Sequence, residues 1–99
     1  MGRAGAGSSA PVKISFHLRA WEEYRFWQAN DAKMLARVDA LIADTMRSPF
    51  KGIGKPEPLR ENLSGWWSRR IDGEHRLVYR SAGKSEDQVL EIMQCRYHY

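Results

Sequence analysis

Cysteine is nearly absent: Cys95 is the sole thiol in 99 residues, so an internal disulfide is excluded and a reducing compartment is the default expectation. Long apolar runs are absent as well. None approaches the roughly 20 residues of a membrane span, and residues 1–10 carry no apolar stretch of the kind a secretory signal needs. The expectation is a cytoplasmic protein that does not enter the membrane. Histidine is scarce, and His17, His75, His98 and Cys95 lack zinc-ligand spacing. Gly52-Ile53-Gly54-Lys55 stops short of the phosphate-binding P-loop pattern, and nothing matches a nucleophile elbow. No metal or other cofactor is implied, and there is no internal repeat.

What the chain does have is localised positive charge. Residues 46–80 hold eight Lys and Arg against four Asp and Glu, so this one segment matches the whole chain's net charge of +4. A concentrated basic patch suits a polyanion such as nucleic acid; a solvated basic face would leave the same trace.

Residues 1–11 are rich in Gly, Ala and Ser and read as a disordered tail. Residues 12–99 then form one domain. Apolar residues at 12, 14 and 16 have strand periodicity. Ala20, Trp21, Tyr24 and Trp27 mark one face of a helix ending near Ala29, and Asp31 is a candidate N-cap. Met34, Val38, Leu41, Ile42 and Thr45 predict a second helix, stopped by Pro49. Residues 49–65, with three Pro and three Gly, read as a loop. Residues 66–71 and 75–80 flank Asp72-Gly73 as a hairpin, residues 83–87 are a second turn, and 89–95 read as a strand buried on both faces. The fold class is α+β: order β-α-α-β-β-β, two helices packed on one face of a small, mainly antiparallel sheet.

The register of the hairpin decides which arginines can act together, because a slip of one residue turns every side chain to the other face. A two-residue turn mixes apolar and charged residues on both faces. A three-residue loop gives one face with Trp67, Arg69, Ile71, His75, Leu77 and Tyr79, and another with Trp66, Ser68, Arg70, Arg76, Val78 and Arg80. The cleaner segregation selects the three-residue loop. Arg69 is then a charged misfit on the core face, in need of a carboxylate or a place at the sheet edge.

Basic loop and hairpin together, with an imidazole if the end of the chain folds back, supply what cutting RNA without a metal requires. A base takes the proton of the 2′-hydroxyl, a cation stabilises the phosphoryl oxygens, and an acid protonates the departing 5′-oxygen. Arg suits the second task through its planar, permanently charged fork. Glu57, stiffened between Pro56 and Pro58, is the candidate base, although a loop carboxylate is by pattern alone a solvated one. His98 is the candidate acid, although a histidine at a chain end is often merely frayed. His75 reads as a hydrogen-bonded core histidine and His17 as a surface residue. Among the tryptophans, Trp66 is the one placed to stack on a base.

The run GKPEPLRENLSGWWSRRIDGEHRLVY (54–79) with CRYHY (95–99), WEEYRFWQ (21–28) and SPF (48–50) resembles the YoeB/Txe toxins of bacterial type II toxin–antitoxin pairs. These belong to the RelE superfamily of ribosome-dependent mRNA endonucleases. The likeness spans residues 12–99. It implies Glu57 as general base, Arg76 as the phosphate-stabilising arginine, His98 as general acid and Tyr99 as a further catalytic residue. Arg70 and Arg60 contribute, Arg60 standing where Lys is common in the family, which favours phosphate binding over proton handling there. Lys55, Trp66 and Arg80 complete the expected RNA-binding set. The resemblance also implies cleavage of mRNA in the A site of the 70S ribosome, a YefM-like antitoxin, homodimers in some relatives, and operator DNA reached only through the antitoxin. Two other classes share these features: a non-catalytic ribosome-binding module, and a subunit that only holds an antitoxin on DNA.

Overall fold

The structure is a computed structural model that describes residues 11–84 and 87–98. The expected tail thus lies outside the described residues except for Pro11, which is buried. Strand β1 (Lys13–Phe16) leads into helices α1 (Leu18–Asn30) and α2 (Ala32–Arg47); β2 (Glu57–Pro58), a 3-10 turn (Glu61–Leu63), β3 (Trp67–Arg70), β4 (Arg76–Ala82) and β5 (Val89–Gln94) follow. The strands form one sheet in the order β1-β5-β4-β3-β2, with β1 parallel to β5 and all other neighbours antiparallel. Both helices lie on one face, where Ala20, Trp27, Val38, Leu41 and Ile42 pack against Leu77, Tyr79, Leu90 and Ile92.

The sequence expectations hold for the presence and order of both helices, for the buried face of α2 and for the parity of the hairpin. Asp31 caps α2, its carboxylate accepting the N–H of Met34 at 3.1 Å. Val38, Leu41, Ile42 and Thr45 are its buried face. Arg69 pairs with Leu77 and Arg70 with Arg76, and the Ile71 N–H donates to the His75 carbonyl at 3.0 Å, which leaves the three-residue loop Asp72-Gly73-Glu74.

Three expectations need correction. The segment read as loop contains β2, a two-residue strand too short to show any periodicity, so the sheet has five strands among the described residues. In α1 the buried residues are Ala20, Glu23 and Trp27, whereas Trp21 is 42% exposed; Glu23 is buried because it hydrogen-bonds the backbone of Cys95. Finally, β5 alternates half-buried and buried residues instead of being buried throughout: Leu90 and Ile92 face the helices, Val89 and Glu91 the uncovered side, and Gln94 is buried on that other side.

β5 also carries a bulge. Tyr79 pairs with Ile92 but Val78 pairs with Gln94, so Met93 is the extra residue. The bulge reverses the alternation: Ile92 faces the helices, and so does Cys95, while Gln94 turns to the other face beside Val78.

The misfit Arg69 finds its carboxylate. It is fully buried, and all five of its N–H donors are used. Nε donates to the Tyr79 hydroxyl at 3.1 Å, Nη1 to Asp44 Oδ2 at 2.7 Å and the Ile53 carbonyl at 3.1 Å, Nη2 to the carbonyls of Ser48 at 2.6 Å and Lys51 at 3.0 Å. Tyr79 passes its own proton on to the Pro49 carbonyl at 2.6 Å. Asp44 further accepts the Ile53 N–H at 2.9 Å. Gly52 runs so close that a Cβ there would lie 2.0 Å from Asp44 Oδ2, and its φ of +126° favours glycine independently.

Removing one member of a buried ion pair strands the other. Asp44→Ala is therefore expected to lower the unfolding free energy by about 3–5 kcal/mol, read by urea denaturation. The Ile53 N–H, then the Arg69 guanidinium, hold the Asp44 carboxyl below its ordinary value. Its contribution is present above the unfolded-state value of about 4 and is lost as pH falls through the lower folded value. Asp44→Asn should flatten that acid limb, checked by denaturation midpoints from pH 7 down to pH 3.

Candidate active site

The face of the sheet turned away from the helices is built in three rows across the strands. Register places Glu57, Ser68, Val78 and Gln94 side by side in the middle row. Ser68, Val78 and Gln94 are buried, at 2%, 0% and 3% exposure, so they form a floor. Arg70 and Arg76 make the row on one side. Arg80 and Glu91, with Trp66 beside them, make the row on the other. A floor without net charge between two charged rims is a trough in which an extended polyanion could lie.

Glu57 is exposed on the edge strand β2. The Leu59 N–H donates to the Trp66 carbonyl at 2.9 Å, so residues of that parity turn their N–H toward β3. Pro56 and Pro58 occupy the alternate positions, where an N–H would face outward unpaired, which is where an edge strand tolerates proline. Glu57 and Arg70 are diagonal neighbours, a spacing of about 7–8 Å in a sheet. The approach to β2 is tied down as well. The Arg70 N–H donates to the Gly54 carbonyl at 2.6 Å, and Lys55 has a φ of +52°, uncommon for a residue with a Cβ. Lys55 and Arg60 are both exposed on either side of Glu57, Arg60 at the start of the 3-10 turn.

The hairpin loop orients Arg76. Asp72 accepts the backbone N–H groups of Glu74 at 2.9 Å and His75 at 2.7 Å. Partial burial pushes the Asp72 carboxyl up, but the two N–H donors, with the Arg76 guanidinium nearby, outweigh it and leave it below the ordinary range. Arg76 Nη1 donates to the carbonyls of Asp72 at 2.8 Å and His75 at 3.0 Å. One end of the guanidinium is thereby fixed; among the described residues Nε and Nη2 have no hydrogen-bond partner, and that edge suits the two oxygens of an anion.

The end of the chain does fold back, and α1 holds it. The Cys95 N–H donates to Glu23 Oε1 at 2.9 Å, and Trp27 Nε1 donates to the Cys95 carbonyl at 2.9 Å. Burial raises the Cys95 thiol to about 12, so it is a packing group and not a nucleophile. The Arg96 guanidinium lies 3.5 Å from the centre of the Phe26 ring, with Trp27 and Tyr97 also beside it. The Tyr97 carbonyl then accepts from the Arg76 N–H at 3.1 Å and from Gln94 Nε2 at 2.9 Å. The tail turns beside the Arg70–Arg76 row with His98, exposed, as the next residue. Tyr99 lies outside the described residues.

Trp66 and Arg80 occupy the far rim and are engaged with each other. The Arg80 guanidinium lies 4.5 Å from the Trp66 ring centre and binds Glu91 Oε1 at 2.6 Å, while His17 meets Glu91 Oε2 at 3.3 Å and the Trp66 ring edge-on at 5.6 Å. Arg80 therefore shares the face expected for it, but its charge is offset by Glu91. Among the described residues no group of three His, Cys, Asp or Glu side chains is arranged to hold a metal.

The family model of the YoeB-like toxin of bacterial type II toxin–antitoxin systems matches residues 16–99. The chain belongs to this family. A toxin YoeB of Streptomyces coelicolor is 53% identical over 88 residues, covering 89% of this chain and all of the relative. Among solved structures, the YoeB/ParE toxin of Agrobacterium tumefaciens superposes with a TM-score of 0.85 at 49% identity over 89% of this chain and all of that one. The YoeB of Staphylococcus aureus is known as a dimer, TM-score 0.80, and in a heterotetrameric complex with YefM, TM-score 0.79; each is 43% identical and covers 91% of this chain and all of that one. YafQ of Escherichia coli, at 16% identity and TM-score 0.63 over 87% of this chain and 92% of its own, shares the fold.

In this YoeB-like chain the sheet brings Glu57, Arg70 and Arg76 to one trough, and His98 follows directly on Tyr97, whose carbonyl is bonded to the Arg76 backbone. Sequence reasoning missed the residues that hold the tail. Glu23 sat on a helix whose aromatic spacing drew attention to the wrong face, and Gln94 was hidden by the unforeseen bulge. The one available signal was Glu23 itself, a carboxylate at i+3 from Ala20 and i−4 from Trp27. Trp27→Phe removes only the indole donor and leaves the buried Cys95 carbonyl without it. The expected cost is about 1–3 kcal/mol, with far-UV circular dichroism unchanged, measured by thermal denaturation.

Proposed function

We propose that the chain is the toxin of a type II toxin–antitoxin pair and acts as a ribosome-dependent mRNA endonuclease that needs no metal. The observation that carries this reading is the trough: Glu57 in the middle row, Arg70 and Arg76 in the adjoining row, and a tail pinned to the Arg76 backbone immediately before His98.

In this mechanism the scissile phosphate lies over the Arg70–Arg76 row. Glu57 removes the proton of the neighbouring 2′-hydroxyl, and O2′ attacks the phosphorus. The arginines stabilise the charge on the non-bridging oxygens. His98, protonated, gives its proton to the 5′-oxygen as the P–O5′ bond breaks, leaving a 2′,3′-cyclic phosphate and a 5′-hydroxyl. Lys55 and Arg60 flank the path of the strand, and Tyr99 completes the site. Arg80 and Trp66, already paired, contribute the far rim. A protein this small gains its substrate orientation from the ribosomal A site, which holds the mRNA strand, and its basic face meets ribosomal RNA phosphates. The setting is the bacterial cytoplasm. A YefM-like antitoxin neutralises it, as the S. aureus complex suggests for its own pair, and the S. aureus dimer supports self-association.

Glu57→Ala and His98→Ala should each slow cleavage by about 10²–10⁴-fold, and Arg76→Ala by about 10²–10³-fold, in folded proteins. The assay is primer extension on mRNA in a reconstituted bacterial translation system. Inhibited translation without cleavage by wild type and His98→Ala alike would replace the nuclease by a ribosome-binding module.

A further inference from the structure

His75 belongs to none of the three rows. It lies on the helix side of the sheet, its ring meeting Trp27 edge-on at 5.0 Å, and its side chain is 13% exposed. Its Nδ1 nevertheless accepts the backbone N–H of Tyr97 at 2.7 Å. An accepting Nδ1 leaves the proton of the neutral ring on Nε2, which is 3.8 Å from Glu74 Oε1. The next residue, Arg76, gives its own N–H to the Tyr97 carbonyl at 3.1 Å. Two consecutive residues, His75 just before β4 and Arg76 at its start, thus grip both backbone polar groups of a single tail residue.

That residue has a φ of +70°. A tyrosine rarely adopts the left-handed region, and does so only where its surroundings over-determine it. Here the two backbone hydrogen bonds and the stacking of Arg96 on the Tyr97 ring, 4.5 Å from its centre, are those surroundings. Without the acceptor on His75, the Tyr97 N–H loses its partner, and the bonds to its carbonyl and the contact on its ring are the restraints left against relaxation to negative φ; a change of that size redirects the residue that follows. The residue redirected is His98.

We propose that His75 is a positioning residue: its Nδ1 locks Tyr97 in the left-handed conformation and thereby aims His98 at the Arg70–Arg76 row. The proposal rests on the reading of His98 as the general acid. His75 itself touches no substrate. It faces the helices, while the trough is on the opposite side of the sheet, so its influence passes through the Tyr97 backbone.

The test uses the full chain. His75→Leu fills the place of the ring without an acceptor, and His75→Phe, which keeps an aromatic edge against Trp27, serves if His75→Leu fails to fold. His75→Asn returns an acceptor oxygen close to the position of Nδ1. Hydrogen exchange of the Tyr97 amide is followed by NMR, and mRNA cleavage is followed on the ribosome, with His98→Ala in parallel. The expected result is rapid exchange at Tyr97 and cleavage slowed by about 10²-fold in the acceptor-free variants, the scale of a misplacement near 1 Å, with both restored at least tenfold toward wild type by His75→Asn. Wild-type protection of Tyr97 in the acceptor-free variants overturns the proposal, whatever cleavage does. A loosened Tyr97 with full cleavage also overturns it, and His98→Ala then identifies what failed: an inactive His98→Ala leaves the acid assignment standing, and an active one removes it too.

Discussion

A guanidinium with no exposure to water holds this small domain together. Arg69 projects into the side of the sheet where an apolar residue would ordinarily go, and a buried charge is tolerated only when it is paired and fully hydrogen-bonded. Meeting that demand recruits Asp44 from α2, carbonyls of residues 48, 51 and 53, and the hydroxyl of Tyr79 from β4. The loop after α2 has little apolar content of its own, so this polar network gives it a fixed path. That path delivers Lys55, Pro56 and Glu57 to the edge of the sheet.

The opposite face depends on parity. Arg69 faces the helices only because Arg70 and Arg76 face away, and the three-residue hairpin loop sets both at once. A shift of one residue would bury two arginines without partners and expose Leu77 and Tyr79. The bulge at Met93 makes a second parity change, where the chain leaves the sheet. It turns Cys95 toward α1, where Glu23 and Trp27 capture its backbone, and turns Gln94 toward the trough, where it holds the Tyr97 carbonyl. Structural and candidate catalytic groups therefore alternate along the same strands, and loss of one set misdirects the other.

The two helices differ in what they do. α2 is an ordinary amphipathic helix whose apolar stripe closes the core. α1 contributes less apolar surface and more polar anchoring, with Glu23 and Trp27 aimed at the end of the chain and Tyr24 bound to Asp39 of α2 at 2.7 Å. The hydrogen bond to Asp39, with burial, raises the Tyr24 hydroxyl to about 12, so it stays a donor at any ordinary pH.

By itself the sequence determined the elements whose signal is periodic or local: α2 from its apolar stripe, its start from Asp31, and the hairpin register from the separation of apolar and charged residues. It also yielded the membership of Glu57, Arg70, Arg76 and His98 in one candidate site, through the long motifs they lie in. Tertiary structure decided what depends on partners distant in the chain. Two residues of β2 become a strand only because β3 is there to pair with them. Glu23 is buried only because Cys95 arrives beside it, and the bulge exists only where β5 meets β4. Arg69 shows the boundary most clearly. Its misplacement on an apolar face was legible from alternation, but the group that neutralises it, Asp44, is 25 residues away, and no pattern within either segment connects the two.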